Sequence, residues 1–152
     1  VFVALNLKDG RFAAGTRWTD QFSFGNGGWD DTLYPRHVAD VDGNGKADVI
    51  GFGHAGVYLG AGGWTNELYP RLVVDLNANG RSDIVGFGHD GLWASLSAGD
   101  TFAEPTLLAR AMAFGAGGWT TTRHVRIAGD FDGDGTPDLV GFGDDGVYVI
   151  YP

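Results

Sequence analysis

The chain has 152 residues, 43% of them hydrophobic and 13% aromatic, and a net charge of −9. This length suits one ordinary domain, and the acidity argues against nucleic acid and anionic membranes, which select basic surfaces. Cysteine is absent, which excludes a disulfide framework, and no run approaches the roughly 18 apolar residues of a membrane-spanning helix.

In chain order, residues 1–6 have strand character, and residues 22–24 are predicted to form a short outer strand. A Gly-Gly-Trp ending at Trp29 follows. Residues 36–40 read as a strand entering an Asp/Asn/Gly loop, residues 48–52 as the strand leaving it, and residues 56–58 as a third strand after a tight turn. The pattern then returns twice. Each copy has a Gly-Gly-Trp (Trp64, Trp119), eleven residues to the first Asp of a loop (Asp75, Asp130), and Gly-Phe-Gly after the loop. Residues 106–114 have helical composition, but their phase predicts strand, with residues 112–114 matching 22–24. Residues 146–148 match 56–58. Glycine totals 27, far above the usual share of about 7%, and it sits at fixed places, so it is turn chemistry.

Four short strands per unit in an array of equivalent units point to an all-β fold of four-stranded antiparallel β-propeller blades. The repeat phases are residues 1–59, 60–94 and 95–152. Successive tryptophans lie 35 and then 55 residues apart. The middle unit is therefore short by twenty, at the junction of Leu59 and Gly60. Losing one strand would expose its neighbours' edges, so missing residues at that junction are expected rather than a shortened blade.

The loops carry oxygen side chains at positions 1, 3, 5 and 9. These are Asp40, Asp42, Asn44 and Asp48; Asp75, Asn77, Asn79 and Asp83; Asp130, Asp132, Asp134 and Asp138. Glycine at position 6 permits the sharp turn, and the carbonyl of Lys46, Arg81 or Thr136 adds a seventh-position ligand. Such a ladder suits a hard cation, here Ca2+. Position 12 is Gly51, Gly86 or Gly141, so this is not a helix-loop-helix site. The alternative is that these residues only build hairpin turns. Carboxylates number four in the third loop, three in the first and two in the second, and affinity is expected to fall in that order.

The ladder followed by Gly-Phe-Gly resembles the FG-GAP, or VCBS, repeat of integrin α-chain propellers. With Gly-Gly-Trp, Tyr-Pro-Arg and Gly-Phe-Gly-His-x-Gly-Val-Tyr it is similar to the Psathyrella velutina lectin family. That resemblance implies a six- or seven-bladed ring binding terminal N-acetylglucosamine, and in some members sialic acid, in pockets between blades. The residues are compatible with this. Sugar sites need an aromatic face and directed polar groups. Each unit has a Trp and, seven residues later, an Arg: Trp29 and Arg36, Trp64 and Arg71, Trp119 and Arg126. Tyr34 and His54, or Tyr69 and His89, complete the first two sets, whereas the third unit has His124 and Asp144 there. The competing reading is that the tryptophans pack between blades, the arginines pair with surface acids and the histidines are spacers.

No nucleophile motif or phosphate loop is present, and equivalent repeated sites suit binding better than catalysis, so the chain is not expected to be an enzyme. The alternatives to a lectin are an integrin-like propeller that binds protein, or a targeting module of a secreted enzyme. Loops of modest calcium affinity favour a secreted or extracellular setting. Three units cannot close a ring. Either two or more chains complete one, six blades from two chains being simplest, or the chain is part of a longer propeller.

Overall fold

Short strands separated by glycine-rich turns pair into four antiparallel sheets in a computed structural model that describes residues 2–17, 19, 22, 23, 25, 28–53 and 65–152. The strands are β1 (Phe2–Val3), β2 (Thr16–Arg17), β3 (Arg36–Ala39), β4 (Asp48–Gly51), β5 (Arg71–Val74), β6 (Asp83–Phe87), β7 (Leu92–Ser95), β8 (Thr106–Ala109), β9 (Arg126–Gly129), β10 (Asp138–Phe142) and β11 (Val147–Ile150). There is no helix among the described residues.

The sheet β5-β6-β7-β8 is a complete four-stranded blade, blade 2. Blade 1 shows β3-β4 and blade 3 shows β9-β10-β11, while β1-β2 is a separate hairpin. The inner hairpin of each blade has the same register. Arg36, Arg71 and Arg126 lie opposite Gly51, Gly86 and Gly141, and Ala39, Val74 and Gly129 lie opposite Asp48, Asp83 and Asp138. The arginine therefore marks one end of every blade and the acidic loop the other.

Two expectations need correction or limits. Residues 112–114 and Phe22 are not strand. The fourth strand of blade 2 is Thr106–Ala109, where pairing to β7 overrides the helical composition. Met112 and Phe22 instead have φ of 52° and 58°, a left-handed turn that ends the blade. The expected strand at residues 56–58, the Leu59/Gly60 junction, His54 and Trp64 lie outside the described residues.

The core sits between blades. Leu76, Val85, Phe87, Leu92 and Ala94 of blade 2 pack against Met112, Trp119 and Leu139 of blade 3. Ile50 and Phe52 of blade 1 pack against Ile84 of blade 2. The first glycine of the first and third Gly-Phe-Gly leaves room for the tryptophan. A Cβ on Gly51 would stand 2.7 Å from Trp29, and one on Gly141 would stand 2.7 Å from Trp119. Bulk there would force these rings out of the blade.

The acidic loops share a backbone as well as a sequence. Positions 4 and 6 both take positive φ: 79° and 79° at Gly43 and Gly45, 82° and 93° at Gly133 and Gly135. In the second loop position 4 is Ala78, held at 54°. An L-residue in this region carries roughly 1–2 kcal/mol of strain, partly offset by its smaller unfolded-state entropy. Ala78→Gly is expected to stabilise the fold by about 0.5–1 kcal/mol, measured as a rise in the urea midpoint. An unchanged or lower midpoint contradicts this account of the loop.

Candidate functional site

The two ends of the blades carry different chemistry. At the loop end, carboxylate oxygens of Asp40, Asp42 and Asp48 lie within 4.8 Å of one another, as do those of Asp130, Asp132 and Asp138. These groups offer the oxygen-rich ligand set that calcium takes. The first aspartate organises each turn. Asp40 accepts the amides of Gly43 and Gly45 at 2.8 and 2.7 Å, Asp75 those of Asn79 and Gly80 at 3.0 and 2.7 Å, and Asp130 those of Gly133 and Gly135 at 2.6 and 3.0 Å.

The fifth residue accepts the amide two positions on: Asn44 from Lys46, Asn79 from Arg81, Asp134 from Thr136. The ninth aspartate closes the loop. Asp48, Asp83 and Asp138 accept the second-position amides of Val41, Leu76 and Phe131 at 3.0, 2.9 and 2.7 Å. Asp83 differs from the others. Its second oxygen accepts the Ser97 amide at 2.7 Å, and burial raises its pKa despite these hydrogen bonds. The second loop thus has fewer carboxylates, and one of them is committed to holding the β7–β8 turn. Asn77 is exposed on this loop.

At the other end, the repeated Trp and Arg are interior groups. Trp119 is 6% exposed and lies between His124 and Tyr148, with ring centroids at 5.0 and 5.5 Å. Trp29 is half-buried against Phe22 and Tyr34. Arg36 donates to the carbonyl of Phe22 at 3.0 Å, and Arg126 to that of Met112 at 3.3 Å. The arginine thus satisfies the carbonyl of the left-handed residue, a polar group that would otherwise be left inside the blade.

Arg71 and Arg126 are each 7% exposed, and their guanidinium groups lie over rings of the preceding blade. Arg71 stands 5.3 Å from the Phe52 centroid, and Arg126 stands 5.1 Å from that of Phe87. Burial lowers both pKa values to about 10, so both stay charged at neutral pH. Arg126 has no hydrogen-bond partner for Nε and Nη2 among the described residues, and its charge rests on the faces of Phe87 and Trp119. Arg126 and Trp119 therefore hold blades together, and Arg71 does so while also facing a cleft between blades 1 and 2.

An open cleft of about 440 Å³ does lie between blades 1 and 2 at this end. Asp31, Pro35, Arg36 and His37 line it from blade 1, and Asn66, Pro70 and Arg71 from blade 2. The backbone pins its rim, where the Asn66 amide donates to the Thr32 carbonyl at 2.8 Å. Asp31 is exposed and forms an ion pair with Arg36. This set offers one carboxylate, one carboxamide, an imidazole and two guanidinium groups between two proline faces.

His37, Asp31 and Asn66 were not among the sequence candidates. Asp31 and Asn66 stand two residues after their tryptophans and His37 one after its arginine, but the third unit has Thr121 and Ile127 there. Tyr69 and His89 lie nearby in blade 2, with Tyr69 Oη 3.4 Å from His89 Nδ1 and His89 exposed beside Phe114. In blade 3 the matching positions are closed by Asp144, which both His124 and Arg123 reach. His124 Nε2 lies 3.3 Å from Asp144, and Arg123 lies 2.7 Å from the same oxygen.

Residues 75–149 match the FG-GAP-like repeat family, and the antiparallel sheets are propeller blades. Among solved structures the chain is similar to an Agrocybe aegerita lectin, described as specifically recognising non-reducing terminal N-acetylglucosamine. The TM-score is 0.85 and the identity 34%, over 97% of this chain and 42% of the lectin chain. The chain thus spans under half the length of that lectin. No curated protein sequence matches it.

His37 gives the cleft a pH dependence. Burial, and then the charge of Arg71, lower its pKa below 6.5. The unfolded chain therefore binds the proton more readily. The stability from neutral His37 is complete above about pH 6.5 and is lost as pH falls through the lower folded value. The melting temperature is expected to drop on acidification below pH 6.5, and to drop less in His37→Gln. Parallel curves for the two proteins contradict this.

Proposed function

We propose that the chain is a carbohydrate-binding, non-catalytic lectin module that takes terminal N-acetylglucosamine-type sugars in clefts between blades, with calcium in its acidic loops. The observation that carries the reading is the likeness to the Agrocybe aegerita lectin over 97% of this chain, together with an inter-blade cleft that holds polar groups of four kinds. Asn66 offers a donor and an acceptor on one carboxamide, which suits an acetamido group or a pair of ring hydroxyls. Asp31 accepts from hydroxyls, His37 and Arg36 direct the sugar, and Pro35 and Pro70 give it apolar contact. Tyr69 and His89 extend the surface. A single shallow site binds weakly, and repetition around an array supplies avidity on glycan surfaces.

Isothermal titration with N-acetylglucosamine is expected to show binding that Asn66→Ala weakens by about tenfold, or roughly 1.4 kcal/mol. The melting temperature should hold, because the pinning bond uses the Asn66 backbone. No heat with the wild-type chain, or equal affinity in the variant, sinks the assignment.

Calcium rests on the donor sets. Asp130, Asp132, Asp134, the Thr136 carbonyl and Asp138 would form the strongest site, and the loop from Asp75 to Asp83 the weakest. Such an ion would supply charge neutralisation and cross-linking of the turn, and a modest affinity suits an extracellular setting. A ligand of the native state raises stability. Calcium is therefore expected to raise the melting temperature, and Asp132→Ala to remove more of that rise than Asn77→Ala does. An identical melt in calcium and in chelator overturns the metal reading.

A further inference from the structure

The junction between blades 1 and 2 carries a group that packing does not call for. His37 lies opposite Ile50 on the inner hairpin of blade 1, and Leu72 lies opposite Val85 at the same register in blade 2. At the junction of blades 2 and 3, Leu72 packs against the core that holds Phe87, and Arg126 lies over that ring. At the junction of blades 1 and 2 an imidazole takes the place of the leucine. The His37 ring stands edge-on to Phe52 with centroids 5.6 Å apart. Arg71 lies over the same Phe52 ring, 5.3 Å from its centroid. An imidazole and a guanidinium thus share one phenylalanine, and both line the cleft. A leucine here would bury more apolar surface and would respond to nothing.

The charges around His37 come from three places. Arg36 is its neighbour on β3, Arg71 faces it from β5, and Asp31 lines the cleft from the turn before β3. Asp31 is already tied to Arg36 by an ion pair. Phe52, Asn66, Pro35 and Pro70 bring no charge. A proton arriving on His37 therefore meets two cations and an acid that is engaged elsewhere. Partial burial, and then the charge of Arg71, keep the ring neutral at neutral pH.

Protonation changes two things. A neutral imidazole accepts a hydrogen bond at one ring nitrogen, whereas the protonated ring only donates, so sugar hydroxyls lose an acceptor. The new charge also repels the Arg71 guanidinium, which holds blade 2 on blade 1 through Phe52. We propose that His37 is a proton-operated latch on this cleft: on mild acidification it takes up a proton, the contact of Arg71 with blade 1 loosens, and the bound sugar is released. This rests on the lectin reading of the same cleft.

Isothermal titration with N-acetylglucosamine at about pH 7.5 and about pH 5, on either side of the range where histidine changes charge, tests this. Wild-type affinity is expected to fall about five- to tenfold on acidification, within the usual coupling between two sites, and that of His37→Gln to change by less than about twofold, whatever its starting value. By reciprocity, saturating N-acetylglucosamine should lower the pH at which the His37 ring titrates, followed by its imidazole proton resonance, the one missing from His37→Gln. That second measurement is made on the folded protein and separates release from acid unfolding. Equal wild-type affinity at the two pH values overturns the proposal and leaves the lectin reading standing. So does a His37→Gln variant that loses affinity as the wild type does, or a His37 titration that the sugar does not move. No binding at either pH overturns the lectin reading, and the proposal with it.

Discussion

An arginine laid over the phenylalanine of the preceding blade is the contact on which the rest of this structure depends. A blade is too thin to bury its own apolar residues on both sides, so its stability comes from its neighbour. At the centre of each junction, Arg71 meets Phe52 and Arg126 meets Phe87. Burial of a large ring supplies about 1.5–3 kcal/mol, and a desolvated cation over it adds on the order of 0.5–2 kcal/mol. The same guanidinium reaches back into its own blade at Arg126, where it satisfies the carbonyl of left-handed Met112. One side chain thus fixes the end of a blade and joins it to the one before.

That constraint separates scaffold from site. The arginine end of the hairpins is occupied by packing, so ligand chemistry falls to the rim, where the chain passes between blades. Asp31, His37 and Asn66 stand there with freedom to vary, because no junction needs them. The acidic loops occupy the opposite end of the same hairpins. Their turns are held by amides donated to the first and ninth aspartates, and the loops of neighbouring blades touch where the Ser82 amide meets the Asp40 carbonyl at 2.8 Å. Ions bound there would stiffen the junction from the side away from the cleft.

Blade 3 shows how the same frame is diverted. His124 and Asp144, in the positions of Tyr69 and His89, pair with each other and with Arg123. The position of part-buried Tyr69 is thereby turned inward on blade 3, as His124, and that of exposed His89 is taken up by an ion pair, as Asp144. The units share a fold without sharing a surface, so equivalence of sequence phase does not carry equivalence of binding.

Much of the fold was legible because its determinants are local. Glycine at position 6 of each loop, the ninth aspartate and the apolar pair after it fix a hairpin wherever they recur, and three recurrences define an array of blades. The fourth strand was expected by phase and forms at residues 106–109, but its placement at 112–114 fails because the chain turns left-handed at Met112 once β8 has paired with β7. The site was the least legible part. Repetition singles out what every blade requires, so it selected Trp29, Trp119 and Arg126, which the structure uses as packing, beside Arg36 and Arg71, which also face the cleft. Asp31, His37 and Asn66 differ from unit to unit, and only the meeting of two blades brings Asp31 and His37 beside Asn66. The sequence by itself determined the repeat, the strand order and the oxygen ladders, since each is written within a few consecutive residues. Only the tertiary structure decided which repeated groups are interior and which variable ones share a cleft, because burial depends on the neighbouring blade and not on the chain segment alone.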